Sequence, residues 1–158
     1  MQIIINIASQ QLTLQHDGRT IRQYVISSAL KGVGEQRGSE QTPRGKHIVR
    51  AKIGANLPLN TVFKARRPTG EIYSAELAEH CPHRDWILTR ILWLSGCEVG
   101  KNRGGHCDTM RRYIYIHGTP DSEPMGIPAS HGCIRMRNTD LAELFTLTPL
   151  YAPVLIHE

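Results

Sequence analysis

The 158 residues suffice for one ordinary domain, and we expect a single domain over residues 1–158. Hydrophobic residues make up 40% of the chain and charged residues 21%, which excludes a disordered protein, and the short apolar runs exclude a membrane-spanning one. The net charge is +5, but no tract of five basic residues occurs. A small anionic substrate therefore accounts for this charge as well as nucleic acid does.

The N-terminal third predicts a meander of antiparallel strands. Isoleucines alternate with polar residues over 2–7, and leucines do the same over 11–15. The dipeptide Asp17-Gly18 favours a tight hairpin turn, and residues 19–27 supply the returning strand.

The middle of the chain predicts loops interrupted by further strands. Residues 30–45 are glycine-rich and form a surface loop, and residues 47–53 form a strand. Residues 54–85 are polar and irregular, with a short helix over 75–80. They form either a lid over a cleft or an ordinary surface excursion. Residues 86–94 are apolar and predict a buried strand.

The C-terminal part predicts two more strands and the most convincing helix. A strand over 112–117 follows a second glycine-rich loop, and residues 152–156 close the sheet. Asn138 or Thr139 is expected to cap the helix, which ends before Pro149. Many short strands with one or two short helices predict a mainly-β fold.

The chemistry is concentrated between residues 114 and 137. His117 ends the predicted strand, where period two places it on one face with Tyr113 and Tyr115, and Cys133 follows after a proline-stiffened loop. A thiol attacks as its thiolate, and an adjacent imidazolium lowers its pKa. Cys133 and His117 brought together therefore form a minimal pair for acyl transfer. The alternative is a buried thiol and a structural histidine.

Around this pair, three further groups fit acyl transfer. Gly132 permits close approach of a substrate, and the backbone N–H groups of Gly132 and Cys133 are expected to form an oxyanion hole. Arg135 has the fork geometry that binds a carboxylate.

The string from Ser130 to Met136 (SHGCIRM), preceded by IHGT at 116–119, resembles the active-site signature of the L,D-transpeptidase (YkuD-like) catalytic domain. Residues 5–29 are similar to the opening hairpin of that family, and TPRG at 42–45 resembles its TPxG turn. The resemblance implies a mainly-β, β-sandwich-like fold and a cysteine nucleophile that acts on stem peptides of bacterial peptidoglycan. No cofactor is expected.

By position, the resemblance makes Cys133 the nucleophile and His117 the general base and acid. The Gly118 carbonyl would orient the imidazole, and Gly118 is also expected among the substrate-contacting residues. The Gly132 and Cys133 N–H groups would stabilise the oxyanion. His131 lies beside the thiol and is expected to have a structural or substrate-contacting role.

The remaining predicted site residues surround this centre. Arg135 would bind a substrate carboxylate or brace the site, and Ser130 is expected to hydrogen-bond locally. Tyr115 shares the His117 face and is expected to line the cleft. The histidines and cysteines of HCPH at 80–83 and HC at 106–107 lack the spacing of a zinc site, so we expect no metal.

The implied substrate is a peptidoglycan tetrapeptide stem, free or in a muropeptide, that ends in a diamino acid and D-Ala. Attack by Cys133 releases D-Ala. The acyl-enzyme then passes either to an amine, which gives a 3–3 cross-link, or to water, which is L,D-carboxypeptidation. Carbapenem-type β-lactams are expected to acylate the same thiol, and neither nucleic acid nor a membrane is an expected partner. The motif leaves the diamino acid open.

The location is expected to favour hydrolysis. No leader or anchor is visible, so we expect a cytoplasmic protein that trims stems in cell-wall recycling. TRILWLSG at 89–96, GKNRGG at 100–105 and Asp108-Thr109 resemble the leaderless L,D-carboxypeptidase subgroup of the family. A periplasmic L,D-transpeptidase cut from a longer precursor is the alternative.

Overall fold

The computed structural model describes residues 1–158 and contains ten strands, two α-helices and one turn of 3-10 helix. The strands are β1 (Gln2–Asn6), β2 (Gln11–His16), β3 (Arg19–Ser27), β4 (Gly45–Ile53), β5 (Thr61–Lys64), β6 (Arg67–Ile72), β7 (Ile87–Gly96), β8 (Tyr115–Gly118), β9 (Ile134–Met136) and β10 (Pro153–His157). The helices are α1 (Ala75–His80) and α2 (Asn138–Leu147), and the 3-10 turn is Gly105–Cys107.

All ten strands belong to one sheet, in the order β4-β10-β1-β2-β3-β9-β8-β7-β5-β6. An additional pairing between β4 and β7 closes the first eight strands on themselves. The β5–β6 hairpin is attached outside this closed sheet, along β7. Closure leaves no free edge among the eight strands, so the hairpin alone extends the sheet beside them.

The core lies inside the closed sheet because alternate residues of its strands point inward. In β1 the isoleucines at positions 3 and 5 are fully buried, and in β2 the leucines at 12 and 14 are fully buried. Together with Leu141, Leu144 and Phe145 of α2, the inward residues form one apolar cluster. Burial of this surface is the main force that holds the strands together.

The mainly-β prediction is confirmed, including the short helix over 75–80 and the main helix. Within residues 54–85, which were expected to be otherwise irregular, the chain forms the β5–β6 hairpin. The short strand β9 was also missed, because three residues are too few for an alternating pattern to be recognised. Neither helix is long and apolar enough to cross a membrane.

Two local predictions were wrong. Tyr113 has a φ of 57° and lies in a turn, so β8 begins two residues later than its first expected tyrosine. Asn138 does not cap α2: the N-cap is Arg137, without a side-chain bond to the helix. The Asn138 amide is buried, where it accepts a bond from Thr89 and donates to the Thr119 carbonyl. A buried amide satisfies more of its hydrogen bonds in this way than it would as a cap.

Candidate active site

The parallel pairing of β8 with β9 builds the site. His117 is in register with Arg135, and Ile116 is in register with Ile134. Cys133 immediately precedes β9 and therefore lies beside the start of β8, where the Tyr115 N–H donates to its Sγ at 3.3 Å. The strand pair thus brings the predicted nucleophile and the predicted base to one cleft.

The Cys133 sulfur is held by the backbone of the residues just before and at the start of β8. The thiol donates to the Tyr113 carbonyl at 3.4 Å while it accepts from the Tyr115 N–H. Burial raises the pKa of this thiol to about 12, which the bond from Tyr115 offsets only in part. The thiol is therefore protonated at neutral pH.

The His117 ring has one tautomer set by its surroundings. Its Nδ1 lies 2.7 Å from the carbonyl of Gly118, and since a carbonyl only accepts, Nδ1 carries the proton. Nε2 is therefore the basic nitrogen of the neutral ring. Burial lowers the pKa of His117, and the bond to Gly118 opposes this shift without cancelling it.

These two pKa shifts change the expected resting state of the pair. The sequence interpretation relied on an imidazolium that lowers the pKa of the thiol. In the structure burial disfavours both charged forms, so the resting pair is a neutral thiol and a neutral imidazole. Such a pair reacts by general-base transfer of the thiol proton to Nε2 as the sulfur attacks.

The loop that carries Cys133 is braced from two sides. The Ser130 hydroxyl donates to the Cys133 carbonyl at 2.5 Å and accepts from the Gly132 N–H at 3.2 Å. On the other side the Thr42 hydroxyl donates to the Gly132 carbonyl at 2.9 Å and accepts from the Ala29 N–H. Ser130 makes the local hydrogen bonds that were expected of it, within the loop.

The oxyanion hole differs from the expected one. The Gly132 N–H is already bonded to Ser130, so it is not a free donor for a substrate oxygen. The N–H of Cys133 itself has no partner and remains available. Gly132 instead serves the loop through its conformation: its φ is 135°, and a Cβ there would lie 3.2 Å from Ile114 Cδ1.

Arg135 is buried and already paired, which was not expected of a carboxylate receptor. Its guanidinium lies 3.3 Å from an Asp85 oxygen and 3.5 Å from a Glu123 oxygen. It also donates to the Ala129 carbonyl at 3.4 Å. Of the two roles expected for Arg135, these contacts support bracing of the site. His131 is exposed at the rim, with Nδ1 3.8 Å from Asp85.

Gly118 also differs from its predicted place among the substrate-contacting residues. It is buried, and a Cβ there would lie 2.6 Å from the Leu88 carbonyl oxygen. Its carbonyl orients His117, so Gly118 positions the base and does not line the cleft. Tyr115 lines the cleft as expected.

The cleft around the pair has a volume of about 410 Å³. Its charged lining consists of three arginines and one aspartate. The lining residues are Ala65, Arg66, Asp85, Ile87, Arg112, Tyr113, Ile114, Tyr115, His117, Ser130, His131, Cys133 and Arg135. A cleft with this excess of cations favours an anionic ligand.

Sequence reasoning missed several residues of this site. Asp85 and Arg66 lie in the segment that was expected to be irregular, and no motif marks either of them. Arg112 donates to the carbonyls of Gly34 and Gln41, which only the fold brings near. Thr42 was available in the TPRG string, but its bond to the Gly132 carbonyl spans 90 residues.

One known family matches nearly the whole chain. The chain matches the family described as YkuD, L,D-transpeptidase catalytic domain, over residues 1–156. No curated protein matches it in sequence.

Solved structures of L,D-transpeptidases share the fold. An L,D-transpeptidase from Mycobacterium smegmatis is 17% identical with a TM-score of 0.58, and the match covers 99% of this chain and 58% of that one. An L,D-transpeptidase from Xylanimonas cellulosilytica is 22% identical with a TM-score of 0.55, and the match covers 98% of this chain and 59% of that one. L,D-transpeptidase 3 from Mycobacterium tuberculosis, in complex with a faropenem-derived adduct, is 17% identical with a TM-score of 0.59. That match covers 99% of this chain and 59% of the other. The present chain thus spans under two thirds of these proteins.

Proposed function

The chain belongs to the L,D-transpeptidase catalytic domain (YkuD) family, and from this premise we propose that it is a cysteine-dependent L,D-carboxypeptidase. It removes the terminal D-Ala from peptidoglycan tetrapeptide stems. The observation that carries the proposal is that Cys133 and His117 lie in one cleft. The bond from His117 Nδ1 to the Gly118 carbonyl keeps the ring proton on Nδ1. That bond leaves Nε2 free to act on the thiol.

The chemistry proceeds in two halves that share these residues. Nε2 of His117 accepts the thiol proton as Cys133 attacks the carbonyl at the L-centre of the diamino acid, and the Cys133 N–H stabilises the oxyanion. The imidazolium returns the proton to the departing amine of D-Ala, which leaves a thioester. His117 then deprotonates a water molecule, which attacks the thioester and releases the shortened stem and the thiol.

Water is proposed as the acyl acceptor, rather than an amine, on the charge of the cleft. Arg135 is paired with Asp85 and Glu123, but Arg66 and Arg112 have no carboxylate partner and keep the cleft positive, so an approaching ammonium group is repelled more than water is. The same charge attracts a stem peptide, which carries several carboxylates. The alternative function is an L,D-transpeptidase that forms 3–3 cross-links.

We further propose that the substrates are soluble stems or muropeptides in the cytoplasm, in cell-wall recycling. The support is the resemblance of residues 89–96 and 100–105 to the carboxypeptidase subgroup of the family. Fractionation of the native host, followed by detection of the protein with an antibody, tests this location. Recovery from the periplasm would contradict it.

Covalent modification by β-lactams is proposed on the same geometry. The Mycobacterium tuberculosis structure contains a faropenem-derived adduct. We propose that a carbapenem acylates Cys133 through the same general-base step. Intact mass should increase by one carbapenem in the wild type and in Cys97→Ala, whose lost thiol is exposed, and remain unchanged in Cys133→Ala. An adduct on Cys133→Ala would contradict the proposal.

The decisive experiment is incubation with a disaccharide tetrapeptide, followed by mass analysis of the products. Loss of D-Ala without dimers is the expected result. Detection of cross-linked dimers would contradict the carboxypeptidase proposal and support the L,D-transpeptidase alternative. Cys133→Ala should abolish turnover while its melting temperature stays near that of the wild type, with Cys97→Ala as the matched control.

A further inference from the structure

Three arginines line the catalytic cleft, and two of them are occupied by the protein itself. Arg135 is buried between the carboxylates of Asp85 and Glu123. Arg112 donates to the Gly34 and Gln41 carbonyls and to the Ser39 hydroxyl. A guanidinium whose donors already have partners gains little from a ligand carboxylate, because the existing bonds must first break.

Arg66 is the third arginine, and it has donors to spare. Its Nη1 donates to the Tyr115 hydroxyl at 3.0 Å, and no carboxylate lies within salt-bridge distance of its guanidinium. The rings of Trp93 and Tyr113 lie 4.9 and 4.7 Å from its Cζ. Stacking holds the guanidinium plane in place and leaves its remaining N–H groups directed at no protein acceptor.

The backbone that presents Arg66 is strained. Lys64 pairs with Arg67, so Ala65 and Arg66 form the two-residue tip of the β5–β6 hairpin. Both have positive φ, 48° and 64°, a conformation for which such tips usually have Asn-Gly. Non-glycine residues at positive φ are energetically unfavourable, and at this tip the conformation presents the Arg66 side chain to the cleft.

The hairpin tip lies close to the nucleophile. Tyr115 connects the two, since its hydroxyl accepts from Arg66 and its backbone N–H donates to the Cys133 sulfur. Tyr113 connects them a second time, because its ring stacks on Arg66 and its carbonyl accepts from the thiol. An unpaired cation therefore stands one tyrosine side chain away from the reacting sulfur.

We propose that Arg66 binds the free α-carboxylate of the residue that leaves during the reaction, and so makes the enzyme specific for the last residue of a peptide. This inference rests on the proposed function. The leaving group is a single amino acid, whose carboxylate lies within one residue of the scissile carbonyl, about 3.8 Å between consecutive Cα atoms. The Arg66 guanidinium is the cation in the cleft that combines free donors with contacts to Tyr113 and Tyr115, the two residues whose backbone holds the Cys133 sulfur.

The test compares two substrates that differ only at the terminal group. The first is the disaccharide tetrapeptide with a free terminal carboxylate, and the second is its terminal amide. kcat/KM for release of the last residue is measured on both with wild type, Arg66→Gln and Arg67→Gln. Arg67 is the matched control, because it is the next residue, is exposed and loses the same charge.

Arg66→Gln should lower kcat/KM on the carboxylate about 10- to 100-fold, mainly through KM, and leave the amide nearly unchanged. Arg67→Gln should behave as the wild type on both substrates. Arg66→Lys should recover part of the loss, since it restores the charge without the fork. Equal melting temperatures of the two glutamine variants exclude a folding effect.

The two proposals fail in different ways. Equal loss by Arg66→Gln on both substrates, or no loss on either, would overturn the role of Arg66 while the carboxypeptidase function stands. Absence of release from either substrate by the wild type would overturn the proposed function and this inference with it. As a readout without turnover, Cys133→Ser should bind the carboxylate more tightly than the amide, and this preference should be lost on adding Arg66→Gln.

Discussion

The backbone N–H of Tyr115 donates to the sulfur of Cys133 at 3.3 Å, although the two residues are 18 positions apart. This contact follows from the parallel register of β8 and β9. It places the sulfur of the half-buried Cys133 against main-chain groups, and this desolvation raises the pKa of the thiol to about 12. The resting thiol is therefore protonated, and its reaction as a thiolate requires a group that removes the proton.

The protonated resting thiol predicts slow alkylation. At pH 7, iodoacetamide should modify the exposed Cys97 well before Cys133, because only the thiolate reacts and burial disfavours it at Cys133. Peptide mapping of a time course measures the order. Cys133→Ala should leave the rate at Cys97 unchanged. Faster labelling of Cys133 than of Cys97 would indicate a thiolate–imidazolium pair instead.

The carboxylate of Asp85 tunes the base. It raises the pKa of His117, although burial lowers that pKa by more. In Asp85→Asn the pKa of His117 should fall further, and since the neutral ring is the active form, the acidic limb of the kcat/KM profile should move to lower pH. Glu123→Gln is the matched control, because Glu123 also pairs with Arg135 but does not shift His117. An equal displacement in both variants would contradict this role of Asp85.

The Thr42 hydroxyl stabilises the loop that carries Cys133. Thr42→Val keeps the shape of the side chain but leaves the buried Ala29 N–H and Gly132 carbonyl without partners. We expect a loss of about 2–4 kcal/mol in the free energy of unfolding, together with reduced D-Ala release. Urea denaturation measures the first quantity. Thr146→Val, which removes an exposed hydrogen bond on α2, should change the free energy of unfolding by less than about 0.5 kcal/mol. Similar losses in both variants would contradict the stabilising role of the Thr42 hydroxyl.

Stability should fall in acid because of His47. Burial lowers the pKa of His47 to about 4, while its ring bonds to the Gly45 carbonyl and the Thr109 hydroxyl. In the unfolded chain His47 has an ordinary pKa of about 6.5, so on acidification the unfolded state takes up a proton before the folded state does. The stability that neutral His47 contributes is therefore complete above about pH 6.5 and is lost as the pH falls to about 4. The loss is about 3 kcal/mol in the free energy of unfolding.

His47→Gln tests this dependence. Its free energy of unfolding should decline less between pH 6.5 and 4 than that of the wild type. His16→Gln, at an exposed position, should retain the wild-type decline. If both variants declined alike, His47 would not be the buried group that responds to acid.

Local patterns were sufficient to predict much of the fold. Alternating burial in β1 and β2, the Asp17-Gly18 turn and the apolar face of α2 are properties of neighbouring residues, and they are visible without the tertiary structure. Cys133 and His117 were predicted as the reacting pair from the resemblance of SHGC and IHGT to the signature of the family. The strand and helix predictions required only residue type and spacing, whereas the roles of Cys133 and His117 required the resemblance as well.

The sequence alone was therefore enough to predict the family, the pair Cys133 and His117, and seven of the ten strands, with β5, β6 and β9 missed. The surroundings of these two residues come from the fold. Arg135 is paired with Asp85 and Glu123, and the Gly132 N–H donates to Ser130. Arg66 reaches the cleft on the β5–β6 hairpin. The physical reason is that hydrogen-bond partners and desolvation come from groups distant in the chain. No local pattern reports how deeply a thiol is buried, and burial is what sets the charge of the Cys133–His117 pair.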